Sequence, residues 1–229
     1  MTEQLDLFDE PDFRLLNAEK PKKKRAHRRT CEIADLTIED EYRRCFGVQE
    51  LVRLMGAERP LPGHSYHIIS GGNIDLLSHL KWLLIHYKRF KRVFISCWVI
   101  SSIDILLLKR WVESSEIGCV DIIVGDIFPG SYKQEWLLLR SLYDSGVVRR
   151  VYKSNIHSKF ILMEPYDGEG VVVESSANCN MNPRIEQSVV TIDGGLFEFY
   201  DRYFEDLFKN EMYLDTNKQL VGMELTTEV

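Results

Sequence analysis

The sequence predicts an α/β protein built on a mixed, largely parallel β-sheet flanked by helices on both faces. Two patterns carry that expectation. In the first half of the chain, short apolar runs alternate with segments of helical spacing, the order that builds parallel strands with helices laid over them. In the second half, several short β-rich runs follow one another across brief loops, so neighbouring strands turn back and the sheet becomes mixed. Size and composition agree: 229 residues, 45% apolar and 28% charged, suffice for one sizeable folded core.

The elements follow in order. Residues 1–36 are polar and lack sustained periodicity, and read as a disordered arm. Residues 36–56 have helical spacing at Tyr42, Phe46, Leu51 and Leu54, closed by Gly56 and the Pro60/Pro62 pair. Residues 65–71 alternate like a strand. Asn73 is placed to cap the next helix, whose apolar face takes Leu76, Leu77, Leu80, Leu83 and Leu84. "RVFISCWVI" is a buried strand, "SSIDILLLKRWVESS" a helix with a serine cap, "CVDIIVGDIF" a strand and "KQEWLLLRSLYDSG" a helix. "RRVYK", "SKFILME", "GVVVESS" and "QSVVTID" are strands, and 196–209 is a closing amphipathic helix with Phe199, Tyr203 and Phe208 among its apolar positions. One domain over 37–212, with a tail at 213–229, is the simplest division.

Charge is unevenly placed. The stretch "KPKKKRAHRR" (20–29) holds seven Lys and Arg, and removing those seven from a net charge of −6 leaves −13 on the remainder. A basic arm on an acidic body suits a protein that grips nucleic acid through a flexible segment, with Lys22, Lys23, Lys24 and Arg25 on phosphates. The five cysteines are scattered without metal-ligand spacing, and an odd number with no signal peptide points to a reducing, cytoplasmic interior. No apolar run is long enough to span a bilayer, so no membrane partner is expected.

The chemistry is concentrated in "HSKFILMEPYDGEGVVVESSAN" (157–178). Two apolar runs joined by a Pro, Asp and Gly loop read as a hairpin. Side chains two apart on a strand share a face, so His157 and Lys159 point the same way, and Ser176 and Asn178 can arrive at the same sheet edge. An imidazole, an ammonium, a hydroxyl and an amide together suit a phosphate. Downstream stand Asn180, Arg184 and Glu186, with Asn180 and Arg184 as further substrate contacts.

This pattern, His157-x-Lys159 with four residues before an acid, then Ser175-Ser176-x-Asn178 and a downstream Glu186, resembles the HKD motif of the phospholipase D superfamily. Glu164 stands where that family usually has Asp, and Ser175-Ser176 where it often has Gly-Ser. The resemblance implies a phospholipase D-like fold and a phosphodiester chemistry. A neutral imidazole attacks phosphorus and makes a covalent phosphohistidine, splitting one displacement into two. Glu186 resembles the family's orienting acid. Lys159 supplies positive charge to the non-bridging oxygens, with Asn178 and Ser176 as neutral donors. These donors can stand in for a metal ion, and no clustered carboxylates offer a two-metal site, so no metal or cofactor is expected.

The family's site needs two such motifs. His86-Tyr87-Lys88 repeats the letters but falls at a predicted helix end with no Ser-x-Asn strand after it, and reads as a helix terminus. His64, His67 and His79 read as core or cap residues. With one motif per chain, the resemblance implies a homodimer that shares one site.

A second short sequence, "QLDLF" (4–8), resembles the peptide by which bacterial replication and repair proteins bind the DNA polymerase III sliding clamp. In that resemblance Gln4 hydrogen-bonds at the edge while Leu5, Leu7 and Phe8 enter apolar pockets. The combined reading is a metal-independent phosphodiesterase or nuclease acting on DNA in repair. A non-catalytic DNA-binding or scaffold module of the same fold, or a phospholipase, is the alternative.

Overall fold

The computed structural model describes residues 33–56, 58–180, 184–210 and 213–214. The basic stretch 20–29 and the peptide 4–8 lie outside the described residues. The chain order is α1 (Ile33–Met55), β1 (Ser65–Ser70), α2 (Leu76–Tyr87), β2 (Phe90–Cys97), α3 (Ser102–Glu113) and β3 (Val120–Gly125). Then come α4 (Phe128–Ser131), α5 (Lys133–Asp144), β4 (Val148–Ser154), β5 (Phe160–Pro165), β6 (Val171–Ser175), β7 (Glu186–Ile192), α6 (Gly194–Asn210) and β8 (Tyr213–Leu214).

Among the described residues, eight strands form one sheet in the order β1-β7-β6-β5-β2-β3-β4-β8. It is mixed and helix-flanked, as expected. Five strands (β1, β2, β3, β4 and β6) run one way and three the other, yet only β2–β3 and β3–β4 are parallel neighbours. The parallel pairs are those linked by helical crossovers, as the chain needs a crossover to return in the same direction. The expected β5–β6 hairpin pairs Phe160 with Glu174 and Met163 with Val171, and Gly168 takes φ +93° in its loop.

Alternation along the strands separates two cores. On one face Val93, Ile95, Ile122, Val124, Ile161 and Val173 pack with the helices α1, α2, α3 and α5. On the other, Phe94, Ile123, Phe160, Leu162 and Val172 meet Phe204 and Phe208 of α6. The rings of Phe94 and Phe204 stack at 4.6 Å between centroids.

Several local expectations are corrected. The cap of α2 is Asp75, not Asn73: its carboxylate accepts from Ser78 N at 2.6 Å. In α1, Arg44, Val48 and Leu51 face inward while Phe46 and Leu54 are exposed, because Arg44 is drawn in to Asp75 (2.7 Å) and Asp104. In α6, Phe204 and Phe208 are buried, whereas Phe199 and Tyr203 remain 62% and 58% exposed. His64 and His67 are exposed on and beside β1, and only His79 is a core residue. Helix α1 begins at Ile33, ahead of the expected boundary at 37, and the short α4 was not anticipated. Residues 213–214, expected in the tail, add β8 to the edge of the sheet beside β4.

Candidate functional site

The end of the sheet where β2, β3, β4 and β6 finish and β5 and β7 begin carries the expected residues. Such carboxyl ends, where helices leave on opposite faces, leave a crevice in open α/β sheets. His157 and Lys159 do not lie on β5 itself. They sit in the segment just before Phe160, where the chain has left the ladder. They are nonetheless brought together: Lys159 Nζ donates to His157 O at 2.7 Å and stands 3.3 Å from Nδ1 and 3.4 Å from Nε2 of the ring. Lys159 is buried and His157 exposed. Burial holds the Lys159 ammonium below its ordinary pKa, opposed by Cys97 and Glu186. A cation with part of its hydration stripped pulls harder on a nearby phosphate than a solvated one.

The Ser-Ala-Asn segment is anchored on both sides. Leu76 N, in the first turn of α2, donates to Asn178 O at 3.3 Å, and Ser101 N, the cap of α3, donates to Cys179 O at 3.0 Å. Asn178 Oδ1 accepts from the backbone N–H of Trp98 at 3.1 Å. A backbone N–H can only donate, so the amide orientation is settled and its NH₂ is left to donate elsewhere. The same Trp98 sets its ring edge-on to His157, 5.5 Å between centroids. It therefore links the two halves of the motif. Trp98 in turn needs Gly125 at the end of β3, since a Cβ there would come within 2.7 Å of the indole.

Glu186 opens β7 and accepts a hydrogen bond from Ser176 Oγ, which itself accepts from Gln187 N at 3.0 Å. Two expectations change. The Ser176 proton is committed to Glu186, so Ser176 positions that acid instead of donating to a ligand. No hydrogen bond joins Glu186 to the His157 ring among the described residues; its charge instead favours the protonated form of Lys159. Glu164 is not part of the site: it pairs with Lys91 (3.4 Å) and Arg92 (3.8 Å), five residues along from Lys159, roughly 17 Å by strand rise.

Asn180 Oδ1 is buried without a hydrogen-bond partner among the described residues, and Arg184 is exposed two residues ahead of Glu186. Lys22, Lys23, Lys24, Arg25, Gln4, Leu5, Leu7 and Phe8 fall outside the described residues. His86 lies in the last turn of α2, which Lys88 caps, far in sequence from any Ser-x-Asn strand. No group of three His, Cys, Asp or Glu side chains is arranged to hold a metal ion among the described residues, and none of their helices is long and apolar enough to cross a membrane.

Trp98 was missed in the sequence. Its signal was position: it follows the last residue of β2, where a strand's carboxyl end meets the crevice. Ser96 and Ser158 were missed as well, and their hydroxyls meet at 2.9 Å beneath the His157 segment.

No family model and no curated protein matches the chain. Among solved structures it is similar to Nuc from Salmonella typhimurium, a phospholipase D family member, at 15% identity over 66% of this chain and 99% of that one, TM-score 0.46. It is also similar to polyphosphate kinase from Porphyromonas gingivalis, at 14% identity over 65% of this chain, TM-score 0.49. A third is TrmBL2, an archaeal chromatin protein whose structure shows a novel mode of DNA binding, at 10% identity over 78% of this chain, TM-score 0.45. The chain spans 26% of the kinase's length and 64% of TrmBL2's. Overlap this partial says nothing of chemistry, which rests on the side chains themselves.

Proposed function

We propose that the chain is a metal-independent phosphodiesterase of phospholipase D type, acting on DNA through a phosphohistidine on His157 and working as a homodimer. The observation that carries this reading is the set of contacts around His157. Lys159 touches its ring, and Trp98 ties Asn178 back to the imidazole, while Ser176 holds Glu186 nearby.

In this mechanism a ring nitrogen of His157 attacks phosphorus, the N–P bond forms and the P–O bond to the leaving oxygen breaks. Charge on the non-bridging oxygens is met by Lys159 and the Asn178 NH₂. The leaving oxygen takes a proton from His157 of a second copy. That imidazole then accepts a proton from water as the water attacks phosphorus and the N–P bond breaks, restoring both rings. One imidazole per chain makes half of such a site, so two copies facing each other across a two-fold axis complete it. The basic stretch at 20–29 and the clamp-like peptide at 4–8 support DNA as the substrate and a sliding clamp as a partner.

Purified protein is assayed on labelled DNA with excess EDTA. Cleavage that survives the chelator is the expected result, and activity restored only by a divalent ion overturns the mechanism. Mixing wild type with His157→Ala chains is expected to give mixed dimers of little activity. A sedimenting monomer that cleaves at full rate sinks the shared site. DNA binding without cleavage by wild type, unchanged in His157→Ala, instead identifies a non-catalytic DNA-binding module.

A further inference from the structure

Beside the His157 site, on the face of the sheet that α6 covers, lies a cleft of about 480 Å³. Ile156, Ser158, Lys159 and Glu174 line one side, and Phe199 and Tyr203 of α6 line the other. Strand alternation turns Phe160 toward α6 and Ile161 away from it, and Lys159, just ahead of the strand, lines the cleft while its Nζ stands 3.3 Å from the His157 ring. The cleft and the phosphate-facing site thus meet at Lys159.

Its lining is unlike the rest of α6. Phe204 and Phe208 are buried against the sheet, as an amphipathic helix requires. Phe199 and Tyr203, four residues apart on one stripe, stand 62% and 58% exposed over the opening. Glu174 sits at the floor, where the Tyr200 hydroxyl donates to Oε1. The bond to Oε1 leaves Oε2 able to accept from a ligand. Burial, followed by that bond and the Glu174 charge, pushes the Tyr200 hydroxyl up to about 12, so it stays a donor. Two ring faces, a spare carboxylate acceptor and small hydroxyls form the set that takes a flat heterocycle carrying an amino group.

We propose that this cleft binds an unpaired nucleobase of single-stranded nucleic acid, belonging to a nucleotide that flanks the phosphodiester held at His157 and Lys159. This rests on the phosphodiesterase reading and adds strand state to it. A base reaches the two rings only when unpaired, because pairing would hide the edge that Glu174 accepts from. Stacking is sequence-tolerant, so the cleft selects single strands over duplex more than one base over another. The amino-bearing bases gain the Glu174 contact as a smaller preference.

The test uses the full chain carrying His157→Ala, so that binding is read without cleavage. The probes are a labelled single-stranded DNA oligonucleotide, the same strand with abasic residues, and its duplex. Anisotropy is expected to show the base-bearing single strand bound about tenfold tighter than the abasic one, and Phe199→Ala with Tyr203→Ala should abolish that preference while leaving abasic binding unchanged. Phe199→Trp is expected to restore it. Both positions are exposed, and a circular dichroism melt confirms that the variants fold. Equal binding of base-bearing and abasic strands overturns the cleft while leaving the phosphodiester reading standing. Failure to bind either strand, joined with failure to cleave in the wild-type assay, sinks the phosphodiester reading and the cleft with it. If the double variant sediments as a monomer where the parent is a dimer, the aromatic pair belongs to a contact between copies, and the nucleobase assignment is wrong.

Discussion

Two polar clusters at opposite ends of the strands differ in how much of their bonding capacity is spent. Around Asp121, at the start of β3, Arg149 donates from Nε at 2.8 Å and Arg150 from Nη2 at 2.8 Å. Arg150 also reaches Glu205 on α6 at 2.5 Å, and Arg92 reaches Glu205 at 2.9 Å and Asp201. Burial alone would raise the Asp121 carboxyl, but the bonds from both arginines outweigh it and hold it below its ordinary pKa. Every charge there faces an opposite one. Around His157 the accounting differs: a buried ammonium leans on an imidazole, an amide NH₂ is turned out by Trp98, and the one carboxylate is occupied by Ser176. A saturated network holds elements together; a cluster with spare donors is prepared for a ligand.

The contrast can be broken most sharply at His157. His157→Ala is expected to lower DNA cleavage by more than about a thousandfold, with thermal stability unchanged because the ring is exposed. A melting shift with retained activity would reverse the roles assigned to the two clusters. At the other cluster, Asp121→Asn is expected to cost about 3 kcal/mol in denaturant unfolding, since it removes the buried counter-charge of Arg149 and leaves Arg150 with Glu205 alone. Its effect on kcat should be slight under conditions where the variant is folded. A loss below about 1 kcal/mol would show that the arginines simply turn to solvent.

A third expectation concerns a buried imidazole whose hydrogen-bonding capacity is not fully used. His79 is fully buried, its Nδ1 lacks a partner among the described residues, and burial, against the opposing charge of Asp75, drives its pKa down to about 4. Between that value and the 6.5 of an unperturbed imidazole the unfolded chain binds a proton that the folded chain does not. Its contribution is therefore complete above about pH 6.5 and is lost as pH falls toward 4. The loss amounts to about 3 kcal/mol. Asp104, pushed up to about 6 by burial against the opposing Arg44, has the opposite slope over pH 3.8 to 6. The difference between wild type and His79→Gln isolates the histidine. Parallel stability curves for the two proteins would refute the assignment.

The smallest expected effect sharpens the comparison within the site. Asn178→Asp keeps the acceptor for Trp98 N–H but replaces the outward NH₂ with a carboxylate. Cleavage should fall about a hundredfold with little change in melting temperature. An unchanged rate would mean that the amide serves the loop alone.

Much of the frame was legible in the chain itself. Strand and helix order followed from periodicity, which depends on local side-chain spacing and survives whatever the elements pack against. The His157-x-Lys159 and Ser176-x-Asn178 pairs were legible as chemistry because their residue types are uncommon together, and the hairpin between them is coded by Pro165, Gly168 and Gly170. Sequence spacing could not say which way those side chains turn once the chain leaves the ladder at Phe160. Nor could it say that Ser176 spends its proton on Glu186 or that Glu164 belongs to Arg92.

The helix faces show the same division. Leu51 and Phe208 were placed inside from spacing alone, and the structure agrees. Phe46, Phe199 and Tyr203 obeyed the same arithmetic yet lie outside. Periodicity marks a stripe wider than the contact it makes, and only the packed neighbour decides which edge of the stripe is covered. For α1 that neighbour was a pair of carboxylates that drew Arg44 inward. For α6 it was the sheet, which covers the stripe of Phe197, Tyr200, Phe204 and Phe208 and leaves Phe199 and Tyr203 outside it. Trp98 belongs wholly to the second category. Its letter announces only a large apolar ring, and its role comes from a backbone N–H and a ring edge that meet residues 80 and 59 positions away. Such contacts arise when strands from distant parts of the chain are brought side by side, and local sequence does not encode that proximity.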